Sequence, residues 1–106
     1  MGTDGQERIA VNEDSFRRVN EAIETGRRTR DGLIGFVCEC GRLGCNKIVS
    51  LTVDEYEAVR ADPRRFVTLP GHDIAGAEIV VETHERYIVV EKTGEAGAVA
   101  KGLDPR

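Results

Sequence analysis

The chain has no tryptophan, and its aromatic side chains amount to three Phe and two Tyr. A core without large rings falls to Val, Ile and Leu, which bury less apolar area per residue. No apolar run approaches ~18 residues, which argues against a membrane-spanning helix. The polar opening MGTDGQERIAVNED lacks the apolar segment of a secretory signal. Positive charge is also short, with 15 Lys and Arg against 19 Asp and Glu and a net charge of −4. Domains that bind phosphate backbones carry a basic face, and here only Arg17, Arg18, Arg27, Arg28 and Arg30 form a basic concentration. Nucleic-acid binding is therefore disfavoured. Cysteine is scarce and odd in number, at three. That disfavours a disulfide framework and fits the cytoplasm, where thiols stay reduced.

What is present fits one domain, expected over residues 9–106 after a disordered stretch at 1–8. A chain of 106 residues has a modest core and gains from an additional cross-link. Asn12 reads as a helix N-cap, with Val11 and Phe16 as a hydrophobic staple. Phe16, Val19 and Ile23 follow at helical spacing, and Gly26 is a natural stop. This predicts an amphipathic helix over 13–25, its arginines solvated, that lies outside the metal core and is a candidate partner or dimer surface. LIGFV (33–37) and KIVSLT (47–52) have strand character and flank the cysteines. Thr52 and Glu55 have capping-box spacing, Leu51 and Tyr56 repeat the staple, and Pro63 ends that second helix. RFVTL (65–69) is extended, PGHD (70–73) turns, and AEIVVET with RYIVVEK forms a hairpin around His84 and Glu85. A weak helix is expected around 95–101. The fold class is α+β, a small antiparallel sheet with two helices around a zinc-knuckle-like site.

All three cysteines lie in CECGRLGC, as Cys38, Cys40 and Cys45. Burial preference accounts for one cysteine more readily than for three in eight positions. Clustered thiols in a reducing compartment point to metal, and Zn2+ takes four donors at tetrahedral corners. The C-x-C-x4-C spacing supplies three, while Gly41 and Gly44 permit positive φ and let backbone N–H groups reach sulfur. The fourth donor is expected from His72, which follows Pro70-Gly71; His84, a carboxylate, water or a partner chain are the alternatives. A closed Cys3His shell is structural, because catalytic zinc keeps a position open. Glu39, between two ligands, is expected to face solvent.

The string C-E-C-G-x3-C resembles the post-SET zinc motif of histone lysine methyltransferases. That likeness implies the coordination chemistry and no substrate. Over roughly 9–106, FVCECGRLGC, LTVDEYEAVRADPRRFV, PGHD and YIVVEK together resemble a group of small, largely uncharacterised actinobacterial proteins. Those proteins pair the cysteine cluster with a P-G-H tripeptide, which implicates His72. An iron–sulfur cluster with three Cys and one His resembles the CDGSH family in ligand set, but that family places its histidine a few residues after the third cysteine. The chain has no G-x-S-x-G and no H-E-x-x-H, so no enzyme chemistry is expected. The expected function is a zinc-binding protein-interaction or regulatory module with an unidentified protein partner. The alternatives are a thiol-based redox or metal sensor, and a nucleic-acid module using Arg17–Arg30.

Overall fold

Thr52 and Glu55 close a full capping box. The Glu55 amide donates to Thr52 Oγ1 at 3.1 Å, and the Thr52 amide donates to Glu55 Oε1 at 2.8 Å. Helix α2 (Val53–Arg60) starts there, and its staple residues Leu51 and Tyr56 are both fully buried. The structure, a computed structural model, describes residues 2–26, 32–40, 42 and 44–104, with side chains from 13 onward. Arg27, Arg28, Arg30 and Gly41 lie outside the described residues.

The other elements are α1 (Gly2–Thr25), β1 (Ile34–Val37), β2 (Ile48–Leu51), β3 (Arg65–Thr68), β4 (Glu78–Thr83), β5 (Ile88–Lys92) and α3 (Gly94–Leu103). The class is α+β, as the sequence predicts. There are, however, two small antiparallel sheets against the expected one, and the weak helix expected around 95–101 is formed as α3, giving three helices among the described residues. β1 pairs with β2, Val37 opposite Ile48, and the second sheet has the order β3-β5-β4. The expected hairpin is β4–β5, and its turn is held by the His84 amide on the Tyr87 carbonyl at 2.9 Å.

Strand alternation gives the three-stranded sheet two apolar faces. Val67 and Val89 join Ile34, Phe36, Val49, Leu51, Tyr56 and Val59 in the larger core, where the Phe36 and Tyr56 rings stack at 4.4 Å. Phe66, Ile88 and Val90 face the other way and pack with Ala100 of α3. Helix α3 approaches β5 closely at Gly97, where a Cβ would lie 2.8 Å from the Lys92 carbonyl oxygen. The β1–β2 ribbon and α2 thus cover one face of the sheet, and α3 the other.

Helix α1 departs from expectation in two respects. It begins at Gly2, so residues 2–8 are helical and Asn12 lies inside the helix, where no N-cap is possible. Gln6, Glu7, Arg8 and Ala10 are good helix formers, and extending an anchored helix is far easier than nucleating one. Its arginines are also not all solvated, and the buried face is polar. Glu13, Asp14, Arg17 and Asn20 are buried, whereas Val19 is 46% exposed and Phe16 and Ile23 are half-buried. At 100° per residue the inward face is rotated by about 100° from the apolar stripe. The body of the protein offers polar partners there. Arg17, expected to be solvated, donates to the Pro63 carbonyl at 2.6 Å and the Ala100 carbonyl at 2.8 Å, pairs with Asp14 at 3.0 Å, and lies over the Phe66 ring. Arg18 does remain half-exposed, paired with Asp14 at 2.8 Å.

Glu13 reaches a fully buried ammonium, Lys92 Nζ, which also pairs with Glu78. Two carboxylates around one cation leave an excess negative charge away from water. Burial, opposed by the Lys92 charge, pushes the Glu13 carboxyl up to about 9. Glu13 is therefore protonated at neutral pH and serves as a neutral partner of the Glu78–Lys92 pair.

A carboxyl raised in the folded state releases its proton first in the unfolded chain, so stability declines as pH rises. The window runs from 4.5 to about 9. Glu13→Gln fixes the neutral form and should flatten that decline, making the variant more stable than the parent at pH 9. Urea unfolding across this range measures it; parallel profiles for the two proteins would contradict the assignment.

Candidate metal centre

β1 carries the chain straight into the cysteines. The ladder continues one step past the ribbon, with the Cys38 amide donating to the Lys47 carbonyl at 2.9 Å. The loop between then folds back tightly: the Cys45 amide donates to the Arg42 carbonyl at 3.1 Å, and Gly44 adopts φ +80°. A side chain at that φ is strained, which is the use the sequence predicts for this glycine.

His72 arrives through a turn of its own. Pro70 and Gly71 occupy its central positions, Gly71 has φ +84°, and the His72 amide donates to the Leu69 carbonyl at 3.1 Å. Proline followed by a positive-φ glycine is the signature of a type II turn. The P-G-H tripeptide thus reverses the chain at the end of β3 and returns an imidazole to the cysteine loop.

Four ligand atoms converge as a result. The sulfurs of Cys38, Cys40 and Cys45 and a ring nitrogen of His72 all lie within 4.8 Å of one another, a group that could hold a metal ion. His72 Nδ1 is 3.6 Å from Cys38 Sγ and 3.8 Å from Cys45 Sγ. A zinc tetrahedron with Zn–S of about 2.3 Å and Zn–N of about 2.0–2.1 Å has S···N edges of about 3.5 Å. The three cysteines are free thiols, with no disulfide among them. His84 is not part of the group. Its ring stacks on Tyr87 at 4.3 Å, with Nε2 2.9 Å from Glu82 Oε1.

Each sulfur also meets a backbone amide. Leu69 donates to Cys38 Sγ at 3.3 Å, and the amides of Arg42 and Lys47 bond to Cys40 and Cys45, each two residues upstream. Burial pushes the Cys38 thiol up to about 12, against the Leu69 amide, and raises Cys40 too. Burial has the same sense at the more exposed Cys45. There the Lys47 amide, the neighbouring thiols and the Lys47 charge outweigh it and hold the thiol below its ordinary value. Three amides aimed at sulfur offset the charge of three thiolates and favour the deprotonated form a cation requires.

Glu39 is the principal correction. It is fully buried rather than solvent-facing. Its Oε1 accepts from the Val67 amide at 3.0 Å, its Oε2 from Asn20 Nδ2 at 2.7 Å, and its own amide donates to the Val67 carbonyl at 2.9 Å. Burial, opposed by the Asn20 and Val67 bonds and by the charges of Arg60 and Arg17, pushes its carboxyl up to about 7. Asn20 does more than meet Glu39. Its amide nitrogen also donates to the Val37 carbonyl at 2.9 Å, and its oxygen accepts from the Val37 amide at 2.8 Å, pairing with β1 as a neighbouring strand would. Sequence reasoning missed both residues. One signal was available: Glu13, Arg17 and Asn20 recur at helical spacing, as Phe16, Val19 and Ile23 do.

Gly71 has open space where a Cβ would sit, so substitution there tests backbone strain alone. Gly71→Ala should cost about 1–2 kcal/mol in urea unfolding, and Gly71→Asn less. Equal stability of Gly71→Ala and the parent would contradict the turn assignment.

The chain matches no family model, and no curated protein or solved structure matches it.

Proposed function

We propose that the protein is a zinc-binding protein whose metal fastens the cysteine loop to the end of β3, and that it acts as a protein-interaction or regulatory module. The observation that carries this reading is the convergence of Cys38, Cys40, Cys45 and His72 from two separate turns onto one point. Zinc suits the set: thiolates and imidazole are its preferred donors, and four of them close a tetrahedral shell. A closed shell leaves no position for water or substrate, which favours a structural over a catalytic metal. Among the described residues no helix is long and apolar enough to cross a membrane. Arg17, fully buried on internal partners, is removed from the basic concentration that a nucleic-acid reading requires, so a protein partner is favoured.

The difference in exposure among the thiols supports a redox-sensing role for the same site as the second reading. Cys38 and Cys40 are fully buried and Cys45 is half-exposed, so an oxidant meets Cys45 first. Sensing requires that moderate peroxide oxidise the thiolates and thereby release zinc, with loss of thiols accompanying the release.

Elemental analysis and an absorption spectrum of the purified protein test the main reading. One zinc per chain without visible absorption is expected, and iron with visible bands would overturn it. His72→Ala should lose zinc to a chelator at least about 10-fold more readily than the parent, while His84→Ala should behave as the parent does. The reverse ranking would refute the ligand assignment.

A further inference from the structure

We infer that helix α1 is a positioning element of the metal centre, acting through Asn20 and Glu39, so that ion binding and docking of its last turns are reciprocally linked. This inference rests on the proposed metal site and assigns its regulation.

Three observations carry it. First, Glu39 lies between two members of the ligand group, so a single ion on Cys38 and Cys40 fixes the backbone on both sides of it. Its two carboxylate oxygens are divided between elements, one on the Val67 amide of β3 and one on the Asn20 amide of α1. Second, Asn20 grips the residue before Cys38 as well, with both polar groups of Val37 bonded to its carboxamide. Every polar group of the Asn20 side chain is thus directed at the approach to the ligand loop or at its interior. Third, α1 has little apolar attachment near this end. Val19 faces outward and Ile23 is only partly buried against the core. Glu21, 2.6 Å from Arg60 Nε on α2, adds a polar anchor there.

The linkage follows from the cost of burying a polar group. A carboxyl out of water is tolerated only while its hydrogen-bond partners are in place. Loss of the ion frees the loop, Glu39 turns to solvent, and Asn20 loses a partner it cannot replace. The last turns of α1 then loosen, while the Glu21–Arg60 pair and the Arg17 and Glu13 anchors hold the helix nearby. By reciprocity, removing Asn20 weakens ion binding although it touches no ligand atom.

The test pairs zinc affinity, measured by competition with a chromophoric chelator, with amide hydrogen exchange on the full chain. Chelation of wild-type protein should raise exchange over residues 18–26 and leave the β4–β5 hairpin protected. Asn20→Ala should weaken zinc binding by about 10–100-fold, the range for groups that orient metal ligands, while Val19→Ala leaves it unchanged. The losses from Asn20→Ala and Glu39→Ala should be markedly non-additive, as for two residues acting through one contact. Zinc binding by wild type with additive losses, or with α1 exchange indifferent to chelation, overturns the inference alone. A uniform rise in exchange across all segments also overturns it. Absence of zinc binding by wild type removes the metal reading and the inference together.

Discussion

The buried carboxylate of Glu39 is the joint around which the parts of this protein meet. One oxygen holds β3 and the other holds α1, while its backbone amide bonds back to β3 and its flanking residues are Cys38 and Cys40. Such a group is costly to bury and is retained only with its hydrogen bonds complete. That condition is also a specification. The loop conformation that satisfies Glu39 is the one that brings Cys38 within reach of the Leu69 amide and of His72. The free edge of β3 is covered by the same residues, so the loop serves β3 in place of a neighbouring strand.

The attachment of α1 repeats this logic along its length. Glu13 meets Lys92 and Glu78, Arg17 meets two carbonyls and the Phe66 ring, Asn20 meets Val37 and Glu39, and Glu21 meets Arg60. Polar contacts of this kind have strict geometry and modest net strength. They specify one seat for the helix more than they bind it tightly. A helix seated in this way is suited to an equilibrium that a small ligand can shift.

The readability of the sequence follows the same division. Elements set by local rules were legible: the capping box at Thr52, the strands around the cysteines, the hairpin with its turn at His84, and the reversal at Pro70-Gly71. Apolar alternation, turn residues and caps act over a few positions, and the ligand group of Cys38, Cys40, Cys45 and His72 is largely a product of such rules. The polar interior was not legible. Glu39, Arg17 and Asn20 have the residue types of a surface, and only partners distant in sequence, such as Val67, Ala100 and Val37, make their burial tolerable. The start of α1 was misplaced because Asn12 satisfies the local rule for a cap while the residues before it are also helix formers. The second sheet went unseen because pairing of β3 with β5 is a long-range choice.

The turn at Pro70-Gly71 has a consequence for the order in which the protein assembles. The thiols all belong to one short ribbon, whose local contacts close rapidly, whereas His72 reaches them only after α2 and β3 have been laid down between. Were the proposed ion present, three sulfurs could gather it before His72 supplies the fourth donor. His72 would then close the shell across the intervening chain, and the free energy of ion binding would add to that of folding. In that order of events a bound metal would be a template first and a fastening second.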